Sequence, residues 1–376
     1  MFKLVLRQLR HDPPRTVLTA FALAAVVAVI LIFEGFLEGV VQQSRNAVLG
    51  RGADLIVTQA GVKNMTLARS VLPQFTRGDV EDVAGVVVAH PLTGIPVIYE
   101  QAGQRAPLLL LVYDTGGGPA QLIRGEHIAA PREIVVDESF ANRFGLGPGD
   151  PVVVSDFEFV ISGVSQGDAA FFSAFGFARF DDLIDFYFES DLAADISTFP
   201  LLSFLLVELE ENADRAAVAT AIESSVPSAD VYVPEQLAAE DEALGRALLG
   251  PIFSFLVTAG YISGVMITGI IMFAAVNARQ RDIGVLKALG FSHGFLSLSV
   301  VIEALVLIVV AIPAGLAMAL LVASAIETLM PLYLVPVTET TPVLRTMGAS
   351  LLFAVLGALT PLRLIRRMDP SIAFRS

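Results

Sequence analysis

Glu34 and Glu38 stand one helical turn apart directly after an uncharged run of 17 residues, Val17–Phe33, and Glu303 directly precedes another of 23, Ala304–Ile326. An ionisable group at or inside a hydrocarbon zone is costly to keep, so each of these acids is a candidate for ligand binding or ion pairing. On a helix, Glu34 and Glu38 share a face that could attract a cationic or metal-bearing amphiphile, and two copies in a dimer could line one cavity. The ordinary alternative is the wet end of a helix. For Glu303 the alternative to an intramembrane role is a cap, or a pair with Arg279 or Lys287. Phe171 and Phe172 open "FFSAFGFARFDDLIDFYF", which packs seven Phe and one Tyr into 18 residues. Such a stretch builds a core or offers an apolar surface to an amphiphilic substrate or a partner. The most charged interruption between apolar runs is "NARQRDIGVLKALGFS", Asn277–Ser292, with Arg279, Arg281, Asp282 and Lys287.

Several chemistries are poorly supported. The chain has no Cys, so thiolate metal sites and disulfides are excluded. His11, His90, His127 and His293 are scattered in no ligand spacing, and no metal site is expected. "GGGPAQ" at 116–121 lacks the Lys-Ser/Thr of a phosphate cradle. No nucleophile–base constellation emerges, so catalytic residues are not assigned and a chain that is not itself an enzyme is expected. If ATP drives it, another chain supplies the nucleotide site.

The elements that carry these residues follow from hydropathy. A mean hydropathy of +0.70 is too apolar for a soluble domain. Four uncharged runs, Val17–Phe33, Ile252–Val276, Ala304–Ile326 and Thr346–Leu362, are long enough for membrane helices. Arg7, Arg10 and Arg15 before the first run resemble a signal peptide's flank, but no small-residue cleavage site follows, so an uncleaved span is expected. The segments 1–16, 277–295 and 363–376 hold 11 of the 24 basic residues and three acids. By the positive-inside rule, both termini and the 277–295 segment face the cytoplasm. Residues 34–250, with 32 acids and 12 bases, then lie outside, where their acidity keeps a domain soluble and argues against nucleic acid.

The expected fold is a mainly α membrane protein: four transmembrane helices, with one large α+β extracytoplasmic domain inserted between the first and second. Its parts are an amphipathic surface helix at 1–16, span one and a stalk at 17–50, and the α+β domain at 51–235. A second stalk with span two occupies 236–276, and a short helix 277–295. Span three at 296–326, an outer loop at 327–345, and span four with a basic tail at 346–376 complete the chain. The strand-like runs include "ADLIVTQ", "APLLLLVYD", "REIVVD" and "DPVVVSDFEFVISGV", with short helices at 138–144 and near 212–226.

A short loop between spans needs no apolar edge, yet Ile283, Leu286 and Leu289 would form one beside Arg279, Arg281 and Lys287, ended by Gly290. Such a helix either docks on a partner or lies on lipid phosphates. "NARQRDIGVLKALGFS" resembles the "ER-x-R-E-I-G-x-x-[KR]-A-x-G" segment between spans two and three of MacB/FtsX/LolC-type ABC transporter permeases, the FtsX-like permease family. "ALTPLRLIRRMDPSIAFR", "VVIEALVL" and "PREIVVDESFANRFGLGPGDPVVV" resemble that family's ending, its third span and its exported domain. In size and layout the chain looks nearest to DevC/HrtB-type exporters of glycolipids or haem. The resemblance implies a coupling helix, onto which Arg279, Arg281, Asp282, Gly284, Lys287 and Gly290 carry over, with Asp282 where Glu is more usual. It also implies two copies of a separate ABC ATPase that binds ATP and Mg, a second permease copy as homodimer, and the bacterial inner membrane. A periplasmic adaptor is a further candidate partner. The expected function is export of a hydrophobic or amphipathic substrate, lipid, glycolipid or haem-like. The alternative is mechanical regulation of a cell-wall hydrolase without transport.

Overall fold

The computed structural model describes residues 13–67, 69–189, 201–362 and 365. The expected surface helix at 2–10 and most of the basic tail lie outside these. Nine α-helices, one short 3-10 helix (Phe180–Asp182) and thirteen strands occur among the described residues. The helices are α1 (Pro13–Leu49), α2 (Thr76–Glu81), α3 (Glu138–Phe144), α4 (Leu183–Glu189), α5 (Arg215–Ser225), α6 (Pro234–Ala278), α7 (Gln280–Ala288), α8 (His293–Leu329) and α9 (Thr340–Ala358). The chain forms two compact units, one of residues 1–38, 250–326 and 335–376, the other of residues 39–249 and 327–334.

The first unit contains four helices long and apolar enough to cross a membrane: α1, α6, α8 and α9. Leu23, Val27 and Ile30 of α1, Met272 of α6, Ile308 of α8 and Phe353 of α9 share one buried core. Lipid offers apolar side chains no reason to leave it, so such helices associate through close packing at small residues. Gly315 on α8 and Gly357 on α9 serve this purpose. A Cβ at Gly315 would lie 2.8 Å from Val27, and one at Gly357 2.6 Å from Thr268.

The second unit is built on one large mixed sheet. Its strands are β1 (Leu55–Gln59), β2 (Leu72–Pro73), β3 (Val86–Gln101), β4 (Gln104–Tyr113), β5 (Leu122–Gly125), β6 (Glu133–Asp137) and β7 (Pro151–Val154), followed by β8 (Phe157–Ser165), β9 (Ala169–Ala170), β10 (Ser173–Arg179), β11 (Leu201–Leu202), β12 (Phe204–Leu209) and β13 (Ala229–Tyr232). The order β13-β1-β12-β3-β4-β10-β6-β8-β5 runs across the main sheet, with β7 on β8 and β9 on β10, while β2 pairs β11 separately. The long β3–β4 hairpin joins the two halves through a two-residue turn in which Ala102 and Gly103 both have positive φ, the geometry that matches strand twist. One half carries α5 as a crossover between β12 and β13. The other carries α3, whose N-cap is Asp137 and whose C-cap is Gly145 at φ 67°.

Candidate functional site

The residues with chemical potential fall into three places. In the first unit, α6 ends at Ala278 and α7 begins at Gln280, with Arg279 between them. Arg279 donates through Nε to the Ala275 carbonyl at 3.2 Å and through Nη2 to Glu303 at 2.6 Å. Glu303 is buried on α8, so this ion pair pins the start of α7 against the next span. Lys287 donates to the Ile365 carbonyl and ties the other end of α7 to the chain beyond α9. After α7, Gly290 takes φ 90°; its N–H donates to the Lys287 carbonyl, and the Phe291 N–H to the Leu286 carbonyl, a left-handed stop.

The faces of α7 differ from the expected division. Ile283 and Leu286 pack against the membrane unit's own core, and Gly284 is buried. Of the expected apolar edge, Leu289 alone is open, at 71% exposure. The outward face is instead Arg281, Asp282, Val285 and Leu289, which lie within a third of the helix circumference. A periodic apolar edge read from sequence does not say which neighbour it covers; here two of its three members cover the spans beside them.

Midway along α1, Glu34 is buried and pairs with Arg345 in the second turn of α9. The two residues line a recess of about 210 Å³, bounded also by Phe33, Leu37, Phe253, Val257 and Tyr261. Glu38, one turn on, is half-buried and does not line it. Arg345 was not singled out from sequence, where it only bounded an apolar run. A base at that boundary, able to neutralise an acid at the mouth of another span, was the available signal.

The second unit holds a buried charge network. Arg51, two residues past α1, reaches back to the Ala47 carbonyl, donates to the Gly117 and Gly118 carbonyls at 3.1 and 2.8 Å, and pairs with Asp168. Both side chains of that pair are fully buried. "GGGPAQ" thus cradles a guanidinium, not a phosphate. Its chain can approach because a Cβ at Gly116 would stand 2.4 Å from the His90 ring, and Gly117 takes φ 87°. The Asp168 N–H donates to Asp137, whose carboxyl burial pushes up to about 7, against the pull of Ser139's N–H and hydroxyl. On α6, buried Asp241 accepts from the Met65 N–H at 2.8 Å and from Thr66.

Phe171 and Phe172 form the tip between β9 and β10, both with positive φ, 44° and 66°. A left-handed conformation costs a non-glycine residue about 1–2 kcal/mol. What holds it is packing: the Phe171 ring lies over Gly245 of α6, and the Phe172 ring is 5.8 Å from Tyr333. Both are half-buried in these contacts.

Four apolar helices, with a large α+β unit inserted after the first, define a multi-pass membrane protein carrying one large extracellular domain. Residues 16–225 match the MacB-like periplasmic core domain, and residues 254–370 the FtsX-like permease C-terminal domain. The chain belongs to the MacB/FtsX family of ABC transporter permeases. It is 22% identical over 384 residues to Rv2563, an uncharacterized ABC transporter permease of Mycobacterium tuberculosis H37Rv, with 98% of each chain covered. Rv0072 of the same strain, described in the same terms, is 20% identical over 376 residues, again with 98% of each covered. Two solved structures align at 11% identity and a TM-score of 0.36. They are the periplasmic region of MacB from Actinobacillus actinomycetemcomitans (51% of this chain, 94% of that one) and the extracellular domain of the noncanonic ABC-type transporter YknZ from Gram-positive bacteria (48% and 100%). Permeases of this family work with an ABC ATPase and are not typically catalytic themselves.

Proposed function

We infer that this chain is the permease subunit of an ATP-driven exporter, acting as a homodimer with two copies of a separate ATPase, and that α7 is its coupling helix. Both termini and α7 then face the cytoplasm of a bacterial inner membrane, as the basic residues of those segments require. The observation that carries this reading is the construction of α7. Its inner face is fastened at both ends, by Arg279 to Glu303 and by Lys287 to Ile365, while Arg281, Asp282, Val285 and Leu289 are left open. A helix fixed to its own spans and exposing a mixed charged and apolar face can pass on a rigid-body push. The cargo is a hydrophobic or amphipathic molecule taken up beside the extracellular ends of the spans, where Glu34 sits.

The test is co-purification. Leu289→Asp and Asp282→Lys should each release the ATPase from a tagged permease and abolish ATP-driven extrusion from vesicles, with hydrogen exchange in the sheet unit unchanged. Retention of the ATPase by both variants would end the coupling assignment for this face. The second reading, mechanical regulation of a cell-wall hydrolase, draws support from the buried ties of Arg51 and Asp241, which suit force transmission with or without cargo. ATPase activity stimulated by a protein partner and by no amphiphile would favour it.

A further inference from the structure

The recess beside Glu34 contains polar groups that its own walls leave unused. Glu34 Oε2 meets Arg345, while Oε1, equally buried, has no hydrogen-bond partner. The Tyr261 hydroxyl, beside Thr346, makes no hydrogen bond of normal geometry either. Native proteins rarely leave a buried carboxylate oxygen without a donor, so the site is built for a group that brings one. Arg345 is arranged oppositely: its side chain is 61% exposed, against 3% for Glu34, so the guanidinium remains open to an anion. Phe33, Leu37, Phe253 and Val257 supply apolar walls next to this charge pair.

We propose that the recess is a headgroup site for a zwitterionic amphiphile, with a primary ammonium donating to Glu34 Oε1, a phosphate held by Arg345, and an acyl chain lying along Phe33, Leu37 and Phe253. This rests on the export reading above and names its cargo's head. Size limits what enters. Enclosing a drug-sized ligand takes about 300–1,000 Å³; a recess of about 210 Å³ admits a headgroup but not a whole haem or a whole lipid. Charge narrows the choice further. A purely anionic head would satisfy Arg345 yet bring a second negative charge toward Glu34, and a quaternary ammonium has no N–H to donate.

The test is equilibrium binding, without ATP, to the full-length permease in complex with its ATPase in detergent, read by native mass spectrometry. The probes are lysophosphatidylethanolamine, lysophosphatidylcholine, lysophosphatidylglycerol and tail-less glycerophosphoethanolamine. The ethanolamine lysolipid should bind about tenfold more tightly than the other two lysolipids, the scale of one charge-assisted hydrogen bond. Glu34→Gln should erase that preference, whereas Arg345→Gln should weaken all three lysolipids, which share the phosphate. Thr258→Phe, which fills the recess and leaves the ion pair intact, should erase it too and guards against misfolding of the charge variants. Equal binding of the three lysolipids, a preference that survives Glu34→Gln or Thr258→Phe, or lysolipid binding unchanged in Arg345→Gln overturns the site. Glycerophosphoethanolamine binding as tightly as its lysolipid overturns the amphiphile assignment. ATP-driven extrusion that persists in variants lacking the preference overturns the assignment of the site to the cargo and spares export. A preference in a complex that extrudes nothing sustains the site and overturns export.

Discussion

Replacing Asp137 by Asn tests whether the buried network governs how the sheet unit responds to pH. Asp137 caps α3, accepts from the Ser139 N–H at 2.9 Å and from the Asp168 N–H at 3.0 Å, and is 2% exposed. Burial is the largest influence on its carboxyl and, with the nearby Asp168 charge, raises it from 3.8 to about 7 despite those donors. In acid below 3.8 the folded and unfolded chains are both protonated here, and the stabilising contribution is complete. As pH climbs toward 7 the unfolded chain ionises while the folded one keeps its proton, so stability falls. Above 7 both are ionised and no more is lost. The full decline is about 4 kcal/mol, and the portion between pH 6 and pH 8 about 1.4 kcal/mol. Asn keeps a cap acceptor but cannot ionise. Urea titration of the full-length protein in detergent, read by hydrogen exchange in β6 and α3, should show this fall in the wild type and a flatter profile in Asp137→Asn. Equal wild-type midpoints at pH 6 and pH 8, or an unchanged fall in the variant, would refute the assignment.

Three further outcomes are expected. Asp168→Ala strands the buried Arg51 charge and should destabilise the sheet unit by about 3–5 kcal/mol, whereas Arg51→Met with Asp168→Leu, which removes both charges, should cost less; the same urea titration compares them. Gly357→Leu must enter space where Thr268 and Gly269 would lie within 2.9 Å of its Cβ, so it should cost at least about 1–3 kcal/mol and lower the thermal aggregation temperature in detergent. Glu303→Ala should speed amide exchange across residues 280–288 by freeing Arg279, with no change in β10; unaltered exchange in α7 would show that the ion pair does not hold it.

Much of the architecture was legible because lipid and periodicity both leave strong marks. Uncharged runs located the four spans, and Asp137 with Gly145 bounded α3 as caps do. The first part of β3, residues 86–94, and β10 were not assigned. β10 reads "SAFGFAR", whose Ala, Gly and Phe favour no single element, and it becomes a strand because β4 and β6 flank it on both sides. The sites were less legible for a related reason. Ile283 and Leu286 show the period of a docking edge, but that period is equally that of packing on one's own spans. Glu34 announced itself as an acid at a span's end, while its partner Arg345 lies 311 residues away, a pairing that only the packing of α1 against α9 reveals. Likewise, Arg51 and Asp168 look like ordinary surface charges until the fold encloses them.

The hairpin from Asp168 to Phe175 also constrains how this domain can drift. Asp168 must meet Arg51 and Phe171 must reach Gly245, and only two residues, Ala169 and Ala170, separate the two anchors. Alternation along a strand has period two, so inserting or deleting one residue between them would turn one anchor away whenever the other was kept. Substitution is the easier change: Asn or Gly would sit more comfortably than Phe in the left-handed turn. Among relatives that retain both anchors, the spacing should therefore outlast the residue types, and a relative that has gained or lost a residue here should have lost the Arg51 or Gly245 counterpart as well.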